Sequence, residues 1–248
     1  MFKKLLAALG AGGASVDTRL NNPTLAPGEV LSGEVLIQGG EVPQTLEHVE
    51  LALMTEVEVE HEHGEHYSNH VLGTIRLAGR QEVQPGQQIR LPFQFQLPLE
   101  TPINDTAVLA AGYVRAPVWI HTDLAIQSAV DASDRDYVTV RPTAPMQRLI
   151  QAMSQAGFTL SRVDVERGTA RAGNRYSTLG CYQELEFRPS YGSWSIAEVE
   201  VTFLPGPHDT LVLLEIDRRL RGDGYITLTM GANWASINWE AELQRVLR

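Results

Sequence analysis

Residues Val83 to Ile103 read VQPGQQIRLPFQFQLPLETPI. Pro85-Gly86 is a turn pair. Leu91, Phe93, Phe95 and Leu97 then fall on one parity, and Pro92, Gln94, Gln96 and Pro98 on the other. This period-two alternation is that of a strand with one buried and one wet face, bounded by proline. Bulky rings on a single face need a second sheet to cover them, so the stretch argues for a β-sandwich core.

The flanking sequence repeats the pattern. Val16, Thr18 and Leu20 form a short strand, and Val30 to Gln38 a second, ended by Gly39-Gly40. In the longest alternation Val49, Leu51, Leu53, Thr55, Val57 and Val59 occupy one face, with Glu50, Glu56, Glu58, Glu60 and Glu62 on the other. Like charges so placed need solvent, an opposing base or a cation. Gly64 marks a hairpin tip, and the return strand runs from about Tyr67 to Leu77. Val114 to Ile126 reads as one strand, Asp131 to Asp136 as an acidic turn, and Tyr137 to Val140 as a further strand. About seven strands at sandwich spacing and no convincing internal helix fill residues 1–142.

Arg141-Pro142-Thr143-Ala144-Pro145 divides this unit from residues 143–248. Thr143 is placed to cap a helix with Pro145 in its first turn, and Met146, Leu149, Ile150 and Met153 supply its apolar stripe up to Gly157. Strands follow at Thr159–Val165, Tyr182–Arg188, Ile196–Phe203, Leu211–Asp217 and Tyr225–Met230. Gly168 to Gly180 reads as a mobile loop. Trp239, Leu243, Val246 and Leu247 give a terminal helix docked on its own domain. The fold class expected is mainly β: two sandwich domains, 1–142 and 143–248, with a short linker helix and a C-terminal helix.

Composition narrows the function classes. The 20 Lys+Arg against 30 Asp+Glu give a net charge of −10. Residues 1–142 hold 18 acids and 9 bases, and 143–248 hold 12 and 11. An acidic surface repels phosphate, which argues against nucleic acid as a partner. The single Cys181 precludes an intrachain disulfide, fits a reducing cytoplasm and reads as a buried structural thiol. In MFKKLLAALGAGGA, Lys3 and Lys4 precede Leu5, Leu6 and Leu9. Residues 2–9 fit a short docking helix, a weak membrane contact or a stunted signal segment.

Candidate chemistry is sparse. His61, His63, His66 and His70 cluster at the hairpin tip. With Gly64-Glu65 as the central turn residues, all four share a face and some approach closely enough for zinc, nickel or copper. A turn one residue longer separates them. Metal binding at these histidines is therefore the alternative to a soluble, pH-responsive tip. Asp131, Asp134 and Asp136 lack calcium-loop spacing and read as a capped turn. No serine sits in a glycine-flanked elbow, and no phosphate-cradling glycine loop occurs. Arg218, Arg219 and Arg221 form the one compact basic cluster, either a solvated strand end or a docking patch for the acidic first domain or for an acidic partner. No cofactor and no catalytic residue is expected.

The segments MFKKLL, VDTRL, PGEVLSGEVLIQGG, VQPGQQIRLPFQFQLPLETPI, VWIHTDLAI and AVDASDRDYVTVRPTAPMQ together resemble the bacterial sporulation-control proteins with an arrestin-like fold. EIDRRLRG, Glu215 to Gly222, extends the resemblance more loosely into the second half. It implies two arrestin-like sandwiches in a cytoplasmic, non-catalytic regulator of sporulation, stress or division programmes, acting by protein contact. The partner surfaces expected are open sheet edges, the acidic Glu56, Glu58, Glu60 and Glu62, and the arginine cluster; a homodimer through the same edges is equally allowed. The His-rich tip departs from the family pattern.

Overall fold

The computed structural model of the chain describes residues 12–61, 64–191, 195–219 and 222–247, with backbone alone at 60, 61 and 65. The N-terminal segment 2–9, Glu62, His63 and Arg221 lie outside the described residues, as do the side chains of Glu60 and His61. The protein is mainly β and forms two compact units. Unit 1 comprises residues up to 55, 70–98 and 117–139; unit 2 comprises 56–69, 99–116 and 140 onward. The last change of unit lies close to the divide read from the sequence at 142. Two earlier segments, the hairpin tip and 99–116, also belong to unit 2.

In unit 1, β1 (Ser15–Leu20), β3 (Val30–Gln38) and β7 (Gln88–Gln96) make a three-stranded antiparallel sheet in the order β1-β3-β7. The facing sheet runs β4-β9-β10-β2, where β2 is Thr24–Leu25, β4 Gln44–His61, β9 Val118–Ile126 and β10 Ala132–Val140. β5 (Gly64–Ala78) and β6 (Gln81–Val83) also pair with β4. The alternation read from the sequence decides the faces: Phe93, Phe95, Leu31 and Val35 on one sheet, and Leu51, Leu53, Ile120 and Leu124 on the other, are all buried. Thr18 and Thr122 join the two inner faces by a hydroxyl–hydroxyl hydrogen bond of 2.6 Å. Both residues are buried, so each hydroxyl depends on the other for a partner.

Two glycines carry this packing. Gly86 has φ +70°, the left-handed value its turn requires, with Gln87 N donating to Gln84 O at 3.0 Å. At Gly33 a Cβ would stand 2.4 Å from the Arg19 carbonyl and 2.8 Å from the Phe93 ring. The aromatic strand thus lies against a backbone with no side chain, which explains the glycine inside a strand.

In unit 2, five antiparallel strands run β17-β16-β15-β14-β11. They are β11 (Phe158–Arg167), β14 (Cys181–Pro189), β15 (Ile196–Pro205), β16 (Thr210–Arg218) and β17 (Gly224–Met230). The end of β4 adds to β11 in parallel through Glu166 opposite Glu58, and β8 (Tyr113–Val114) pairs with β11 as well. Helix α2 (Ala144–Gln155) buries Met146, Leu149, Ile150 and Met153 and packs on β11 and on α3 (Trp239–Val246). Thr143 is its N-cap residue but makes no side-chain capping bond; proline in the first turn sets the start instead. Gln183 fastens segment 99–116 to β14 by bonds to the backbone of Ile103, at 2.9 Å from its nitrogen and 2.8 Å to its carbonyl.

Four expectations are corrected. Residues 1–142 do contain a helix, α1 (Thr106–Leu109), a single turn capped by Asp105, whose side chain accepts from Ala107 N at 3.1 Å. The strand expected over Val114 to Ile126 is two strands broken before Pro117, since proline cannot donate to a ladder. The acidic turn at 131–136 is mostly strand: Asp134 and Asp136 lie within β10, and the turn precedes Asp131, which accepts from Ile126 N at 2.8 Å. The mobile loop at 168–180 is an ordered hairpin of β12 (Arg171–Ala172) and β13 (Arg175–Tyr176). Ala170 and Ala172 bury against Leu204 and Leu211, and Arg175 bonds Leu204 O at 2.8 Å and Asp209 at 2.6 Å.

Candidate functional site, an acidic sheet face

The feature of unit 2 that core packing does not account for is the outer face of its sheet. Val163, Val165, Leu185, Phe187, Val199 and Val201 turn one way and are buried. Their neighbours turn the other way and are nearly all acids. Register sets acid against acid: Asp164 stands opposite Glu184, Glu186 opposite Glu200, and Glu200 opposite Glu215. Side chains directly opposite on one face lie about 5 Å apart at Cβ, and like charges there repel. A groove of about 480 Å³ opens on this face, lined by Glu58, Arg162, Asp164, Glu166, Glu184 and Glu200 among others.

Arg162 is the main counter-charge. Its guanidinium reaches Asp164 Oδ2 at 2.7 Å, Glu58 Oε2 at 2.5 Å and Glu186 Oε1 at 3.6 Å. The Tyr67 hydroxyl donates to Glu58 Oε2 at 2.8 Å, and the Arg115 guanidinium lies over the Tyr67 ring, 3.3 Å from its centre. Arg115 also pairs with Glu56 at 3.3 Å. Arg188 adds a second cation on this face, pairing with Glu198 at 3.3 Å and Glu186 at 3.9 Å, but the acids still outnumber the arginines, so protons are held there as well. Burial, with Glu200, Glu166 and other acids adding, pushes Glu184 up to about 9. Burial raises Glu186 as well, supported by its hydrogen bond with Glu198. Glu200 rises to about 7 for the same first reason, with Glu215 next. At neutral pH this face holds protons, and the formal charge of −10 overstates its negative field.

The sequence-named site residues fall differently. Glu58, expected on a wet face for partners, is 3% exposed and held by Arg162 and Tyr67; this is a correction, caused by pairing with β11. Glu56 is half-buried against Arg115. Arg218 is half-buried and Arg219 exposed. β4 ends at His61 and β5 begins at Gly64, so Gly64-Glu65 belongs to a strand and does not form the turn. The hydrogen bond from Tyr67 to Glu58 joins the two strands. His66 is exposed and His70 half-buried on β5. Among the described residues, the groups whose ligand atoms converge within 4.8 Å are Glu58, Asp164 and Glu166, with no histidine. Cys181 is buried and its thiol pushed up to about 12 by burial and Glu100, which leaves it unreactive at neutral pH.

Sequence reading missed Arg162, Asp164, Glu184, Glu186, Glu200 and Glu215. The signal was present: RVDVE, ELE at 184–186 and EVEV each alternate acid or arginine with an apolar residue. What was missing was register, which alone stacks those stripes.

Among the described residues, no helix is long and apolar enough to cross a membrane. The fold and face define a class, a two-unit mainly β protein with an acidic groove on the sheet of unit 2. The family model described as SpoOM protein matches residues 2–220, and the chain belongs to that family. It is 34% identical over 223 residues to the sporulation-control protein Spo0M of Bacillus subtilis, covering 89% of this chain and 82% of that protein. The crystal structure of Spo0M from Bacillus subtilis superposes with a TM-score of 0.79 at 28% identity, covering 95% of this chain and 96% of that one.

Proposed function

We propose that this chain is a non-catalytic regulator that acts in the cytoplasm by contact with other proteins; the regulatory part of this reading is supported by the name of its sporulation-control relative. The observation that carries the reading is family membership over nearly the whole chain, at an identity that keeps the same fold. The chemistry agrees. In the acidic groove Arg162 pairs with Asp164 and Glu58 while burial keeps Glu184 protonated, and the lone thiol is buried and protonated. Surfaces for company remain: exposed Arg219, half-buried Arg218, and the sheet edges.

The test uses the full chain, because unit 2 takes segments from before residue 142 and a cut there would sever them. Crosslinking in the native cell, followed by mass spectrometry, is expected to recover the same partner proteins reproducibly. Recovery of none, or turnover of a small molecule that needs residues of the groove, overturns the reading. The alternative, metal at His61, His63, His66 and His70, has no converging set among the described residues to favour it.

A further inference from the structure

The sheet edges of the two units are finished differently. In unit 1, Leu97 N donates to Glu29 O at 3.0 Å, so odd-numbered amides of β7 face β3 and even-numbered ones face outward. Pro92 stands in the middle of that outward row and supplies no N–H. On β1 the Thr18 amide is taken by Asp134 Oδ2 at 2.7 Å. Both are ways of blunting an edge against another strand.

β17 in unit 2 carries no such guard. From Tyr225 to Met230 it reads YITLTM, with neither proline nor charge, and among the described residues it pairs with β16 alone. Its outer row is Tyr225, Thr227 and Thr229, all exposed; its inner row is half-buried Ile226 and buried Leu228 and Met230. Tyr225 stands opposite Glu215 and donates its hydroxyl to Glu215 at 2.6 Å, which fixes a ring that is 64% exposed. The same arrangement occurs within the unit: Tyr67 donates to Glu58, and there Arg115 lies over the ring. Arginines also lie over Trp119 and Tyr176. Among the described residues no cation lies over Tyr225.

We propose that the β17 edge is a strand-addition site for an extended basic segment of a partner protein, with an arginine or lysine laid over Tyr225 and an apolar residue beside Ile226; this rests on the reading that the chain acts by protein contact. The backbone of β17 supplies the ladder, and alternate side chains supply the choice of partner. Charge selects the sign: Glu215 lies directly behind Tyr225, and Asp223 precedes the strand. Arg218 lies against Gly224, so the cation belongs over Tyr225 and not at the strand's first residue.

The probe is a capped hexapeptide of alternating arginine and valine, titrated against the full chain and read by amide hydrogen exchange and fluorescence anisotropy. Saturable binding with added protection confined to Gly224–Met230 is expected. Tyr225→Leu should weaken it about 2- to 5-fold, the worth of a cation over an exposed ring. Thr227→Lys, which places a like charge on the edge, should weaken it on the order of tenfold. A glutamate–valine peptide should not bind. Binding that is insensitive to Thr227→Lys but lost in Glu200→Gln would place the peptide on the acidic face and overturn the proposal. Absence of binding overturns it too, as does a chain dimer dissolved by Thr227→Lys, which would make a second copy the occupant. If the crosslinked partners of the full chain persist in Tyr225→Leu and Thr227→Lys, the edge has failed while the contact reading stands; if no partner is captured at all, the reading itself has failed.

Discussion

Replacing Glu184 by glutamine tests the proton-holding face directly. Glu184 stands opposite Asp164 and is pushed from an ordinary carboxyl value up to about 9, first by burial and then by Glu200 and Glu166. In the unfolded chain it titrates near the ordinary value, so the folded protein binds the extra proton throughout the interval between. Stability therefore falls as pH rises from about 4.5 towards 9 and levels off above that. Every tenfold fall in proton concentration across this interval costs the folded state about 1.4 kcal/mol. The whole interval bounds the effect at roughly 6 kcal/mol, of which about 3 is already lost at pH 7. Neighbouring carboxyls share the strain and relax, which cuts the realised figure to about half. Glutamine keeps the shape and a hydrogen-bond donor and never ionises. Glu184→Gln should be roughly as stable as the parent at pH 5 and about 2 kcal/mol more stable at pH 8, a rise of about 4–8 °C in Tm for a chain of this size. Thermal melts across pH 5–9 provide the assay. An unchanged pH slope, or equal destabilisation at both ends, would refute the argument that this acid stays protonated in the folded state.

Three further outcomes follow from named contacts. Arg162→Met leaves Glu58 and Asp164, 3% and 1% exposed, without their guanidinium and should cost about 3–5 kcal/mol in urea unfolding at pH 7, with part of the loss recovered at pH 5 as the acids protonate. Gly33→Ala forces a Cβ to within 2.4 Å of the Arg19 carbonyl and should cost about 1–3 kcal/mol or more, read in the same assay. Calorimetric titration with zinc should give no affinity tighter than about 10 µM, and no change when His66 and His70 become alanine; a tighter site that these changes remove would restore the metal reading.

Much of the fold was legible because alternation is a local property. Leu91, Phe93, Phe95 and Leu97 announce their buried face within one short run, and Met146, Leu149, Ile150 and Met153 announce a helical stripe in another. Turn chemistry at Pro85-Gly86 is equally local. Where the structure departs from what local pattern predicts, the deciding partner is distant. β10 extends back through Asp134 and Asp136 because β9 offers a ladder to Thr122 and Ile120. Residues 168–180 order because Leu204, Leu211 and Asp209 lie beside them.

The sequence by itself determined that this protein is mainly β, which face of the strand at Leu91–Leu97 is buried, and where the chain turns from its first long β region to the helix at 144. Only the tertiary structure decided that Glu58 is buried under Arg162, that Asp164 faces Glu184 and Glu186 faces Glu200, and that Tyr225 is held at an unguarded edge. Parity along a strand is fixed by the chain's own geometry. Register between strands is fixed by which side chains can pack across a sheet, and no stretch of residues read alone contains its neighbour.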